Sequence, residues 1–158
     1  MPANEKKAPK IIGQAEKVSF PEIDLDSIAA RIDTGARTST IWASHTEIID
    51  GQLHTILLDD VKGYKGVPVV FDEFERIAVA SSNGHVQHRF LVRILVSIKG
   101  KKIRARFTLA DRSTQVYPVL IGRNILRGKF LVDVNKGRLM KNEDKERWSE
   151  LQATLGDQ

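Results

Sequence analysis

The 158-residue chain contains no cysteine. That excludes a disulfide framework and any zinc site built on thiolates. No hydrophobic run approaches membrane-spanning length. The opening stretch "MPANEKKAPK" is polar and basic with no apolar segment behind it, so the chain reads as cytoplasmic, without a secretory signal or a membrane partner. Neither an H-E-x-x-H zinc-peptidase pattern nor a phosphate-binding glycine loop for ATP is present. Internal repeats and low-complexity segments are also missing. The length suits one domain with a substantial core.

Charge is plentiful, with a formal net value of +5. Basic residues gather in the N-terminal tail and in "KGKKIRAR", Lys99 to Arg106. No aromatic residue interleaves with the second cluster and no nucleic-acid motif accompanies it. Two solvated basic stretches are therefore favoured over a nucleic-acid footprint.

Strand patterns dominate after a tail that reads as disordered over residues 1–10. "EKVSF" (Glu16–Phe20) ends at Pro21, and "IAARI" runs into Asp33. Two β-rich runs flank Asp50-Gly51, a favoured type I′ hairpin dipeptide. Short strands are expected at Val67–Phe71 and Ile77–Ala80, with a loop at Ser81–Gly84. A long hairpin turns at Lys99-Gly100. Its second arm alternates, with Ile103, Ala105, Phe107 and Leu109 on one side and Arg104, Arg106 and Thr108 on the other. "VYPVLIG" reads as a strand ending at Gly122, "RNILRG" as a helical turn closed by Gly128, and "KFLVDV" as a last strand before the turn Asn135-Lys136-Gly137. Residues 141–158 read as a helix, with Asn142 as N-cap and Trp148, Leu151 and Leu155 on one stripe. Trp42 and Trp148 are read as core residues. This is an all-β domain over residues 11–140 with a helix after it.

"ARIDTGARTST" poses the chemical question. A carboxylate at the end of a buried strand is costly unless hydrogen bonds or a partner hold it. Gly35 allows a sharp turn that brings backbone N–H groups to Asp33. Thr34 offers a hydroxyl that can reach another backbone, and Ala36 leaves one carboxylate oxygen without a side-chain donor. Asp-Thr/Ser-Gly arises by accident in roughly one chain of this length in fifteen, so the tripeptide alone says little. It gains force from "VLIGRNIL", Val119 to Leu126, an apolar strand meeting a glycine and then a short helix.

In that order the two segments resemble the signature of the retropepsin-like aspartic proteases. "ARIDTGARTSTIWA", "SSNGHVQHRFLVR" and "LIGRNILRGKFLVDV" are also similar to a bacterial single-domain family labelled ATP-dependent zinc proteases. That similarity covers about Ile12 to Met140. It implies a retropepsin-like fold, a closed barrel-like lobe with a short helix after Ile-Gly-Arg-Asn. It also implies a homodimer in which two Asp33 carboxylates share one proton and activate a water on the two-fold axis. Thr34 would tie the two turns together and Gly35 would supply backbone donors. Ile121 and Gly122 would pack beneath the turn, with Arg123 and Asn124 in the supporting helix. A functional link to an ATP-grasp glutamate ligase follows from the same resemblance. The span from Asp33 to Gly122 is longer than in retroviral proteases, and no usual glycine-rich flap tip is present; "KGYKG" and "SSNGH" come nearest.

The remaining candidates are weighed residue by residue. Ala36 and Arg37 follow the acid directly; Arg37 either pairs with a surface acid or clamps a substrate carboxylate, as a glutamate-rich peptide would require. His85 and His88 have ligand-like spacing, but strand geometry would aim them at opposite faces. No metal and no cofactor is expected, and His85 is placed at the cleft or as a cap of its loop. Two functions stand: an aspartic peptidase acting on peptides or peptide-like modifications, and a dimeric peptide-binding module of the same fold with little or no activity.

Overall fold

The computed structural model describes residues 8–59, 61, 63–80, 83–110, 116–137 and 149–155. Among the described residues eleven strands and a short helix come in order ahead of a second helical segment at 149–155: β1 (Lys10–Ile12), β2 (Ala15–Phe20), β3 (Leu25–Ile32), β4 (Ser39–Ile49), β5 (Gln52–Leu57), β6 (Val67–Phe71), β7 (Glu75–Ala80), β8 (Val86–Ile98), β9 (Lys101–Ala110), β10 (Val119–Ile121), α1 (Arg123–Leu126) and β11 (Phe130–Val132). Mainly β structure was expected, and the hairpins fall where the turn chemistry puts them. Asp50 and Gly51 both take positive φ, as do Lys99 and Gly100. That is the backbone twist a two-residue hairpin needs.

Strand order runs β10-β3-β2-β8-β9-β4-β5-β6, and β10 also pairs β4. The second pairing closes β10, β3, β2, β8, β9 and β4 into a barrel, which removes most free sheet edges. β3 and β4 are consecutive in the chain yet do not pair with each other. β10 lies between them, parallel to β3 (Ile121 opposite Ile32) and antiparallel to β4 (Leu120 opposite Thr40). The connection over residues 33–38 therefore has to arch across the end of β10.

Alternating apolar positions fill the barrel. Val92, Ile94, Val96 and Ile98 of β8 are buried, as are Ala105, Phe107 and Leu109 of β9. Phe20 and Phe107 meet edge to face at 5.6 Å, each contributing about 1.5–3 kcal/mol of burial. Trp42 is buried as expected, with its Nε1 unpaired among the described residues. Thr108 is buried as well, bonded to Thr40 at 2.8 Å, whereas Arg104 and Arg106 on the same side of β9 stay exposed. Lys10 already pairs with Phe130 in the parallel β1–β11 pair. Residues 149–155 are helical, and Leu151 and Leu155 are exposed. That half of the predicted stripe covers no core; Asn142 and Trp148 lie outside the described residues.

Candidate active site

Asp33 stands where β3 leaves the barrel. Its backbone N–H donates to the Ile121 carbonyl at 2.9 Å, one step past the last β3–β10 pair. Its own carbonyl accepts the Ala36 N–H at 3.2 Å, closing the turn. The Gly35 N–H donates to Asp33 Oδ1 at 2.9 Å. Gly35 does not use a left-handed conformation here. A Cβ at this position would lie 3.2 Å from Asp33 Oδ1, so the glycine admits the carboxylate by being small. Asp33 is half-buried, while Thr34 and Gly35 at the tip are exposed.

The helix α1 supports this turn from below. Arg123 N–H donates to the Ala36 carbonyl at 2.8 Å and Asn124 N–H to the Arg37 carbonyl at 3.2 Å. The Arg123 guanidinium reaches the Thr34 carbonyl at 3.1 Å. At Gly122 a Cβ would come within 2.7 Å of the Thr38 carbonyl oxygen and 2.8 Å of that of Ala36. The two signature segments are thus packed backbone to backbone, as the resemblance implied, and Ile121 is fully buried under them.

Ser39 was not singled out from the sequence. It is fully buried, accepts the Gly122 N–H at 2.9 Å and donates to Asn124 Oδ1 at 2.8 Å. Asn124 Nδ2 then donates to the Arg106 carbonyl at 2.9 Å. One amide side chain thereby joins the turn, the helix and β9. The "TST" run carried the signal, since small hydroxyl residues following an acid turn are suited to bonding nearby backbone.

Two hollows flank the turn. One, of about 680 Å³, is lined by Asp33 and Thr34 with Gln14, Tyr117 and Val132. The other, of about 760 Å³, is lined by Ala36 and Arg37 with Thr40, Thr108 and the β7 strand. Arg89 and Arg106 also line the second hollow. Arg37 is exposed and forms no ion pair among the described residues. The basic run ending at Arg106 is therefore not uniformly a solvated surface: its last arginine faces a cleft. β7 and β8 pair antiparallel and wall this cleft, with Asn83, Gly84 and His85 just before β8; Ser81 and Ser82 of the expected loop lie outside the described residues. His85 is exposed there, at the foot of β8. It does not join the other histidines: among the described residues no group of three His, Cys, Asp or Glu side chains could hold a metal ion. Among the described residues the donor set does not fit a zinc centre.

Proteins with known names resemble the chain in sequence and in shape. Two curated relatives, each named "Probable alpha-L-glutamate ligase", come from Desulfotalea psychrophila (31% identical over 80% of this chain) and Shewanella halifaxensis (30% over 78%). The chain spans only 28% of the length of either. The crystal structure of Lpg0085 from Legionella pneumophila, a protein of unknown function, superposes with a TM-score of 0.64. It covers 82% of this chain and 97% of its own at 22% identity, which shows a shared fold. The RimB-like family model, described as "Retropepsin-like aspartic endopeptidase RimB", matches residues 11–143, the span that holds both the Asp33 turn and the Gly122 segment beneath it. The chain belongs to this retropepsin-like aspartic endopeptidase family.

Proposed function

We propose that the chain is an aspartic peptidase that works as a homodimer, two copies of Asp33 meeting on a two-fold axis. The observation that carries this reading is the Asp33 carboxylate itself. It is held by a turn pinned to Ile121, with Oδ1 taken by the Gly35 N–H and Oδ2 without a partner among the described residues. The open oxygen is the one that can hold a water. One carboxylate supplies a base for water but no acid for the developing oxyanion; a second copy completes the pair, which shares one proton. Thr34 and Gly35, exposed at the tip, are the residues that would meet the partner. Gly122, Arg123 and Asn124 hold the turn in place, and Ala36 and Arg37 open onto the substrate cleft.

The substrate that suits the cleft is a peptide or peptide modification rich in glutamate. Arg37, Arg89 and Arg106 line it, with Glu75 as its one acid among the described residues, and guanidinium groups take carboxylates bidentately. The glutamate-ligase names of the relatives agree with a partner that adds what this chain removes.

The test compares wild type with Asp33→Asn on acidic and neutral peptides, with sedimentation to read the dimer. The substitution keeps the side chain's shape but removes the group that takes a proton from water, so cleavage should fall by a factor of about 10² to 10⁴ or more. Melting and dimer size should be unchanged. Equal cleavage by both forms would make Asp33 a structural residue and end the peptidase reading.

A further inference from the structure

β8 and β9 carry an arginine face that the cleft at Ala36 and Arg37 does not use up. Arg93 and Arg106 are direct cross-strand partners, so their side chains leave the same face of the sheet. Arg104 lies two residues from Arg106 on that face. Like charges directly opposite in a sheet are unfavourable, and here three guanidiniums are grouped. Two have carboxylate partners: Arg104 with Glu22 at 3.0 Å and Arg106 with Glu75 at 3.9 Å. Arg93 is exposed and has no ion pair among the described residues.

These arginines line a second cleft of about 660 Å³, together with Phe71 and Phe74. It adjoins the first, since Glu75, Leu91 and Arg106 line both. Arg104 and Arg106 stand about 7 Å apart along the strand, the spacing of alternate side chains in an extended peptide. Asp72, Glu73 and Glu75 line the same cleft, so its acids and arginines balance in number. A lining with both signs suits a chain that offers carboxylates and backbone N–H donors, as a peptide does. A nucleic-acid strand also carries negative charge at every unit, but its phosphodiester backbone has no donor and its donors lie on the bases and 2′-hydroxyls.

We infer that this second cleft is a distal subsite for an extended acidic peptide, in which Arg93, without an ion pair among the described residues, binds one carboxylate side chain and Arg104 binds another by exchanging its exposed partner Glu22. The first cleft holds the part of the peptide nearer Asp33. The subsite rests on the acidic-peptide reading above, and it adds a preference for longer chains that the first cleft alone would not produce.

The experiment measures binding by fluorescence anisotropy in an Asp33→Asn background, so that cleavage does not interfere. The probes are labelled oligoglutamates about four and about twelve residues long, the longer one reaching about 40 Å when extended, and a single-stranded RNA of similar charge. The expected result is tighter binding of the long peptide. Arg93→Gln and Arg104→Gln should each weaken it about three- to fivefold at low salt, leave the short peptide unchanged, and melt like the parent. Arg93→Glu should weaken it further. Arg37→Gln should weaken both peptides.

If the long peptide binds no tighter than the short one, or Arg93→Gln and Arg104→Gln leave its affinity unchanged while Arg37→Gln weakens it, the distal subsite is wrong and the acidic-peptide reading of the first cleft stands. If neither peptide binds, the acidic-substrate reading falls and the subsite with it. Tighter binding of the RNA, sensitive to Arg93, would assign the face to nucleic acid and overturn the peptide proposal.

Discussion

Asp33 and Ile121, far apart in the chain, share a backbone hydrogen bond of 2.9 Å. The position of the carboxylate is therefore set by the strand that closes the barrel and not by the turn alone. Anything that shifts β10 shifts the acid.

Gly122→Ala should be strongly disruptive. Its φ of −99° is open to any residue, so the obstacle is steric. The new methyl would meet two carbonyl oxygens of the backbone at 2.7 and 2.8 Å, and these cannot swing aside as a side chain would. Overpacking of this kind costs about 1–3 kcal/mol, visible as a lower midpoint in urea. A wild-type midpoint would mean that the turn and α1 are not packed as described.

Ser39→Ala should destabilise by about 1–3 kcal/mol, because it leaves the buried Gly122 N–H without its partner; the exposed Asn124 also loses its bond from Ser39. Adding Asn124→Ala should cost less than the sum of the two single changes, since both act on one network. Additive losses would argue that the two side chains act separately.

Chelation should leave any peptidase activity intact. The ground is the donor set: no cysteine in the chain, and no three-ligand cluster among the described residues. Stoichiometric zinc at His85 and His88, with activity lost on its removal, would refute this.

Glu22 should titrate below its ordinary value of 4.5. The hydrogen bond from Arg104 is the main cause; desolvation opposes it, and the guanidinium charge adds a smaller lowering effect. A lowered carboxylate value favours the folded state above pH 4.5, and that contribution is lost as pH falls through the lowered value. Arg104→Gln should return the Glu22 midpoint upward in an NMR titration, and high salt should narrow the difference. An unmoved midpoint would show that the pair does not persist in solution.

Local chemistry was legible without the fold. Asp50-Gly51 and Lys99-Gly100 place their hairpins because positive φ at both central positions is a property of the dipeptide and its neighbours. The alternation of β9 gave Phe107 to the core for an equally local reason. The partnership of Asp33 with Gly122 was legible only because the two motifs together resemble a known family. No local rule says that β10 will slot between two consecutive strands.

The sequence by itself determined a cysteine-free, β-rich domain with an acid turn and a glycine segment to match it. The tertiary structure alone decided which polar residues meet. Arg104 and Arg106 alternate on one face in any strand, and period two cannot tell open solvent from the wall of a cleft. Ser39 looks like any loop hydroxyl until barrel closure buries it against Gly122. The apolar positions Leu151 and Leu155 show the reverse case: helical spacing makes a stripe, but a stripe is buried only where another surface comes to meet it, and here both remain exposed.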